Sequence, residues 1–368
     1  MARRGENIYK RKDNRWEGRY IKGHDRKGKA HFGYVYAHTY REVKEKLAAA
    51  KLAPTNVPLP NRQDLRSFCE EWLLLSRNRV KESTYVKYHN TVQHHIIPTL
   101  GDYLPQELTT VTVEAFSNGL LTEGLAPKTV RDILTVLRQV LRHCRRQLGS
   151  GLAEIEVVYP KDPRKEMRVL SREEQTAFVR YLLEDMDCVK FGVLLALLTG
   201  LRIGEICALQ WGDISLEERA ICVRSTMQRL QTLDPEADAR TYVMIGEAKS
   251  ETSRRLIPLT AYAVSLCRRM QAGDADAYVL TGSSGRYMEP RALQYRLKQY
   301  TAACSLTGVH FHVLRHTFAT RCVEVGFEIK SLSEILGHAS AKITLDRYVH
   351  SSMDWKRANM DKLAAVGF

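Results

Sequence analysis

Residues 128–147, KTVRDILTVLRQVLRHCRRQ, set Val130, Ile133, Leu134, Leu137, Val140, Leu141 and Cys144 three or four positions apart. That is the period of an amphipathic helix, and it gathers the apolar groups into one stripe. Pro127 stands just before, where a helix tolerates proline because its first N–H groups have no internal acceptor. Off the stripe, Arg138, Arg142 and Arg145 recur at helical steps. Such a row either lines a phosphate backbone or keeps the helix solvated, and the spacing allows both. Outward from this helix, residues 66–76, 84–97 and 112–121 repeat the same period, so 62–158 reads as an all-helical segment.

The segment before it, 1–60, reads as strands followed by a helix. Aromatic-rich runs at 8–11, 16–22 and 32–36 are separated by turn signals at Asp13-Asn14 and at 23–28. Thr39 and Glu42 have the spacing of a capping box and open a helix to about residue 52. Alternation along the second run puts Trp16, Gly18 and Tyr20 on one face and Arg15, Glu17, Arg19 and Ile21 on the other. The expectation is a three-stranded sheet whose aromatic face packs on the helix and whose basic face is free. A basic ribbon fits the DNA major groove, and the same pattern also describes a solvated surface. Pro54, Pro58 and Pro60 make a stiff linker after it, and 159–164, with Pro160 and Pro163, reads as a second one.

Beyond that linker, Ser171 and Glu174 form another capping box, and the pattern to residue 368 is mainly helical. Strand-like runs interrupt it at 220–227, 241–248 and 254–259. The chain therefore reads as a multidomain α+β protein in three segments: a small sheet with a helix (1–60), an all-α module (62–158) and a larger, mainly helical domain with a small antiparallel sheet (165–368). The residues after 348 place Met353, Ala358, Met360 and Leu363 at helical spacing. So short a helix needs a groove, either on its own domain or on a neighbouring protomer.

Composition narrows the function classes. With 44% hydrophobic residues in 368, the chain has material for packed cores. No stretch resembles a secretory signal, and the apolar run at 193–198 is far too short for a membrane span. The eight cysteines are scattered without a Cys-x-x-Cys pair, which fits reduced thiols in the cytoplasm better than disulfides or zinc. Residues 1–60 hold 15 Lys and Arg against 6 Asp and Glu, and so carry most of the net charge of +14. An excess this uneven favours a polyanionic partner, of which nucleic acid is the commonest, over simple solubility.

Four short motifs in the last segment carry chemistry. Arg202 and Glu205 stand three apart in Thr199-Gly-Leu-Arg-Ile-Gly-Glu205, and His312 and Arg315 repeat that spacing in His312-Val-Leu-Arg315-His316. Leu336-Gly-His338 follows, then Tyr348 ten residues on. Each alone is ordinary; Arg202 and Glu205, for instance, are also a plain intrahelical ion pair. Together, two guanidiniums, two imidazoles and a tyrosine are what metal-free phosphodiester transesterification requires. Charge builds on phosphate oxygens, which the planar guanidinium fork meets with paired bonds. A phenol of pKa about 10 is a poor nucleophile until neighbours stabilise its anion.

On these motifs the sequence resembles the tyrosine recombinase (phage integrase) family along nearly its whole length, and specifically the arm-binding integrases of conjugative transposons and temperate phages. The family's lysine motif is similar to Lys249-Ser-Glu-Thr-Ser253-Arg-Arg255, with Ser250 where threonine is usual. The resemblance implies Tyr348 as nucleophile, forming a covalent 3′-phosphotyrosine. Arg202 and Arg315 would clamp the phosphate, with His312 and His338 hydrogen-bonding it. His312 would also be a candidate acceptor of the tyrosine proton, Lys249 would be the general acid, and Glu205 a supporting group. No metal and no cofactor would take part. Segment 62–158 would be the core-binding (SAM-like) domain, and 1–60 an arm-binding domain touching DNA through Lys12, Arg15 and Arg19. The expected partners are double-stranded DNA at core and arm sites, three further copies of the chain in a tetramer on DNA, and an accessory excision factor; no membrane is expected. The rival classes are a non-catalytic DNA-binding regulator, a type IB topoisomerase and a metal-dependent transposase.

Overall fold

The computed structural model describes residues 7–24, 30–52, 63–149, 152, 154–163, 167–234, 236–247, 254–271, 273–348, 357, 360 and 361. Lys249 and most of the tail after Tyr348 lie outside the described residues. The chain divides into two compact units, 1–162 and 163–368.

The first unit opens with β1 (Ile8–Lys10), β2 (Trp16–His24) and β3 (Ala30–Ala37), an antiparallel sheet in that order, followed by α1 (Tyr40–Leu52). The amide of Glu42 bonds the Thr39 hydroxyl at 3.3 Å, the first half of the expected cap. Ile8, Ala37, Val43 and Leu47 are buried between sheet and helix, with Trp16, Tyr20 and Val35 packed against them. The free face is not simply basic. Because Arg19 pairs across from Tyr34 and Ile21 from Phe32, the rings of β3 come up beside the charges. Tyr9, Phe32, Tyr34 and Tyr36 are exposed there. The Arg19 guanidinium lies 4.1 Å over the Phe32 ring and that of Arg11 5.6 Å over Tyr36.

The helical part contains α2 (Leu65–Arg77), α3 (Glu82–Thr91), α4 (Ile97–Leu100), α5 (Thr110–Thr122) and α6 (Pro127–Leu148). Asp64 caps α2, its carboxylate accepting from the Ser67 amide at 2.9 Å. One helix was expected over 84–97, but a π-helical turn, Val92–Ile96, separates α3 from α4. All seven residues of the α6 stripe are buried. They meet Leu65, Phe68 and Cys69 of α2 and Phe116 of α5 in one core. Each buried Leu of this kind contributes roughly 1.5–3 kcal/mol over an exposed one.

The expected linker at 159–164 needs correction at its start. Ile155, Val157 and Tyr159 pack on the helical core. Arg131 Nη1 donates to the Pro160 carbonyl at 2.9 Å, and the guanidiniums of Arg131 and Arg138 lie 5.4 and 5.9 Å from the Tyr159 ring centre. Apolar side chains at alternate positions, 155, 157 and 159, let this segment dock where the prolines alone suggested a linker.

The second unit is built on α7 (Arg172–Leu183) and α8 (Cys188–Thr199). Ser171 and Glu174 form the complete capping box of α7. From Phe191 to Leu197 every residue of α8 is buried, as expected of a helix apolar all round. After α9 (Ile203–Ala208) come β4 (Ile214–Ser215), β5 (Ala220–Val223), β6 (Ser225–Gln231), β7 (Thr241–Glu247) and β8 (Arg255–Pro258). The run read as one strand at 220–227 breaks at Arg224, so that β5 joins β4 and β8 in one antiparallel sheet and β6 pairs with β7 in another. Then follow α10 (Ala261–Met270), α11 (Pro290–Ala303), α12 (Phe311–Glu324), α13 (Ile329–Leu336) and α14 (Ala341–Tyr348). Among the described residues no helix is long and apolar enough to cross a membrane. All eight cysteines are unpaired thiols.

Candidate active site

Two helices of the second unit, α8 and α13, end in glycines with left-handed backbone, Gly200 (φ 69°) and Gly337 (φ 62°). A helix end leaves carbonyls without internal partners, and the partial negative charge there attracts cations. The site is assembled on these two ends. Arg315, on α12 and only 3% exposed, donates from Nη1 to the Gly200 carbonyl at 2.8 Å and from Nη2 to that of Leu336 at 2.6 Å. Arg202 donates from Nη2 to the Gly337 carbonyl at 2.7 Å.

Arg202 also caps α9, three residues ahead of Glu205. The Glu205 carboxylate accepts from the Arg202 amide and from its Nη1, both at 2.8 Å. On its other side Glu205 meets Arg255 of β8 through two bonds, at 2.9 and 2.8 Å. Arg255 Nε reaches the Ile335 carbonyl at 2.6 Å. Burial would raise the Glu205 carboxyl, but Arg255 and then Arg202 outweigh it and bring it down to about 2. Two guanidiniums thus hold one carboxylate, and Arg315 brings a third positive charge to the cluster. Burial, and next the repulsion from Arg202, push Arg315 down to about 9. A cluster with this surplus of buried positive charge is short of an anion, and planar forks of this kind suit phosphate.

His316 and His338 stand against Tyr348, and His312 meets His316. Tyr348 is the last residue of α14 and is 6% exposed. Burial lifts its hydroxyl above the ordinary phenol range, against the pull of Arg315 and Arg347. The His338 ring lies parallel to that of Tyr348, centres 6.4 Å apart, and its Nδ1 is 2.8 Å from the hydroxyl of the buried Thr344. Burial and the charges of Arg315 and Arg202 drop His338 to about 3. His312 presents its ring to solvent, and partial desolvation followed by the Arg315 charge lowers it as well.

Of the residues picked from sequence, Arg202, Glu205, Arg315, His338 and Tyr348 come together, with His312 one turn before the buried His316 on α12. Two further groups belong here. Arg255 closes the carboxylate from behind, and His316 Nδ1 stands 2.8 Å from Tyr348 Oη. Both were visible only as neighbours of picked residues, Arg255 at the end of the lysine motif and His316 next to Arg315. In the first unit, Lys12 and Arg15 sit in the turn before β2, where Asp13 holds Arg15 at 2.8 Å. Arg142 is exposed on α6, one turn beyond Arg138.

The sequence model of the phage integrase family matches residues 179–354, and that of the phage integrase N-terminal SAM-like domain matches 64–121, together more than half of the chain. A XerC-like tyrosine recombinase of Caldanaerobacter subterraneus subsp. tengcongensis is 25% identical over 361 residues, covering 89% of this chain and 90% of its own. The tyrosine recombinase XerC of Pseudomonas aeruginosa is 26% identical over 296 residues, 77% of this chain and 88% of its own. Among solved structures, the integrase of transposon Tn1549 in complex with transposon right end DNA shares the fold with a TM-score of 0.68 at 20% identity, over 82% of this chain and 99% of that one. A lambda integrase tetramer bound to a Holliday junction aligns with a TM-score of 0.57 at 18% identity, over 94% and 98%. Set beside a buried arginine cluster that faces a tyrosine at a helix end, these matches lead to one assignment: the chain belongs to the phage integrase family and is a tyrosine recombinase, an enzyme of site-specific recombination.

Proposed function

We propose that this recombinase integrates and excises a mobile genetic element, cutting and rejoining duplex DNA through a 3′-phosphotyrosine at Tyr348 without a metal ion. The observation that carries the reading is the surplus of guanidinium charge around Glu205, beside a tyrosine whose oxygen is held in place. Tyr348 Oη attacks phosphorus and the bond to the 5′-oxygen breaks. Arg202 and Arg315 meet the charge that develops on the non-bridging oxygens, each with guanidinium donors beyond those bonded to carbonyls. His312 and His338 hydrogen-bond the same phosphate. Glu205, locked by Arg255, fixes the position of Arg202. Lys249 gives the leaving 5′-oxygen its proton. The bond energy stays in the protein–DNA ester, so the reverse attack by a 5′-hydroxyl rejoins the strand.

In this reading, residues 1–60 bind arm sites, 62–158 close on the core site and 165–368 catalyse. Four copies act together on two duplexes in the cytoplasm, with an accessory factor for excision. Support comes from the solved relatives: the Tn1549 integrase is bound to transposon end DNA, and the lambda integrase is a tetramer on a Holliday junction.

The test is covalent capture. Full-length protein is mixed with nicked duplexes of randomised core sequence in EDTA, and adducts are recovered on denaturing gels. The expected outcome is an adduct mapping to Tyr348, followed by joining of two separate duplexes. No adduct, or one that needs divalent metal, overturns the reading; relaxation without strand exchange between duplexes makes the protein a topoisomerase.

A further inference from the structure

The imidazole in contact with the nucleophilic oxygen is neither that of His312 nor that of His338. It is that of His316, one helical turn beyond His312, with Nδ1 2.8 Å from Tyr348 Oη and the residue only 9% exposed. The two rings tilt toward each other with centres 5.7 Å apart, and His312 meets His316 edge to face at 5.6 Å. We propose that His316 is the proton acceptor for Tyr348, an inference that rests on Tyr348 being the nucleophile. As the Oη–phosphorus bond forms, the hydroxyl proton passes from Oη to His316 Nδ1. When the ester is resolved and the phenolate leaves, the same proton returns. The leaving 5′-oxygen is served separately, by Lys249, so the two proton transfers balance without a co-reactant.

Geometry comes first in selecting a general base: it must lie within about 2.6–3.2 Å of the proton it takes. Among the described histidines His316 is the one within that distance of Tyr348 Oη; Arg347 also hydrogen-bonds the hydroxyl, but a guanidinium donates and is no base. His316 is also in the right form. Burial, then the charges of His312, Arg347, Arg315 and His310, bring it down to about 4, so Nδ1 can accept at neutral pH with the proton on Nε2. The charged and titratable neighbours come from every element around the pair: His312 and Arg315 on α12, His310 just before it, Arg347 on α14, and His338 stacked on the Tyr348 ring. An imidazole depressed this far is a weak base while the site is empty. A scissile phosphate set between Arg315 and Arg202 offsets the positive charges that depress it, and the proton affinity of His316 rises. Activation of the tyrosine is thereby tied to the presence of the phosphate, and an empty site keeps its nucleophile protonated.

The experiment is single-turnover adduct formation by the full chain on a nicked duplex obtained by covalent capture with the wild-type protein. In His316→Asn the amide oxygen takes the place of Nδ1 and keeps a hydrogen bond to the tyrosine, but it is not a base. Adduct formation should slow on the order of 10²–10⁴-fold, with DNA affinity kept within about threefold. Its rate should climb about tenfold per pH unit where the wild-type rate is level, as hydroxide replaces the lost base. His316→Gly should regain activity with added imidazole, and more with more basic substituted imidazoles. His316→Asn cleaving within about threefold of wild type on an unchanged pH profile would reduce His316 to a support for the ring. A variant faster than wild type would make it a latch, and a DNA-binding glycine variant deaf to imidazole would also overturn the proposal. Failure of the wild-type protein itself to form an adduct sinks the recombinase reading, and this inference with it.

Discussion

Glu205 and Arg255, fifty positions apart in the chain, form a two-bond ion pair whose side chains are only 7% and 5% exposed. Removing one partner of such a pair strands the other charge and costs about 3–5 kcal/mol. Arg255→Leu should therefore destabilise the second unit by roughly that amount in urea unfolding. It should also slow cleavage, because Arg202 loses the fixed carboxylate that orients it. Unfolding midpoints equal to wild type would remove Arg255 from the site's framework.

The same pair sets a pH dependence. The folded Glu205 carboxyl lies at about 2, below its unfolded value. Its stabilisation, on the order of 3 kcal/mol, is fully present above an unfolded pKa of about 4.3 and is lost as pH falls from there toward 2. Glu205→Gln should thus be less stable than wild type at pH 7, and the two should converge in acid. Parallel stability curves between about pH 5 and pH 2 would contradict the assignment.

Tyr348→Phe removes one oxygen and leaves the ring against His338 and His316. Cleavage should vanish while binding to core DNA is kept. The lost bond to His316 should cost only about 0.5–1.5 kcal/mol of stability. Covalent adduct formed by the phenylalanine variant would displace Tyr348 as the nucleophile.

Arg202→Ala and Arg315→Ala should each slow adduct formation by roughly 10³–10⁵, by analogy with arginines that meet transition-state charge in phosphoryl transfer. They should differ in stability. Arg315 is buried and joins the ends of α8 and α13, so its loss leaves two buried carbonyls without their donor, at about 1–3 kcal/mol each. Arg202 is partly exposed and should cost less. Equal thermal shifts for the two variants would count against the bridging role.

Deleting residues 1–60 should abolish arm-site binding and leave core-site cleavage. The face of that sheet mixes Arg11 and Arg19 with rings, so Phe32→Ala, which removes the platform under Arg19, should weaken arm binding about as much as Arg19→Ala. Full arm affinity in the truncated chain would end the arm-binding reading of this segment.

What the sequence made legible follows from the range of the interactions. The α6 stripe and the Ser171 cap are local patterns of period and hydrogen bonding, and both appear as read. The π turn at Val92–Ile96 and the break at Arg224 change a path without changing the composition of the run, so a continuous helix and a continuous strand were read there. On β2 the alternation was right, but a single strand does not reveal that Phe32 and Tyr34 of β3 will stand beside Arg19 and Ile21. Arg202, Arg315, His338 and Tyr348 were grouped by chemistry and resemblance. The partnership of Glu205 with Arg255 and the approach of His316 to Tyr348 depend on tertiary contacts that no spacing encodes.

The carbonyls of Gly200, Leu336 and Gly337 have one more consequence. A long charged side chain fixed in one rotamer gives up about 2 kcal/mol of freedom, a cost that an enzyme with loose arginines meets each time substrate arrives. Here Arg315 and Arg202 are immobilised when the domain folds, by helix ends that hold a fraction of the charge of a phosphate. The entropy is lost once, during folding, and is not charged against each encounter with DNA. Binding then consists of adding a full anion to the remaining donors of side chains that already stand still.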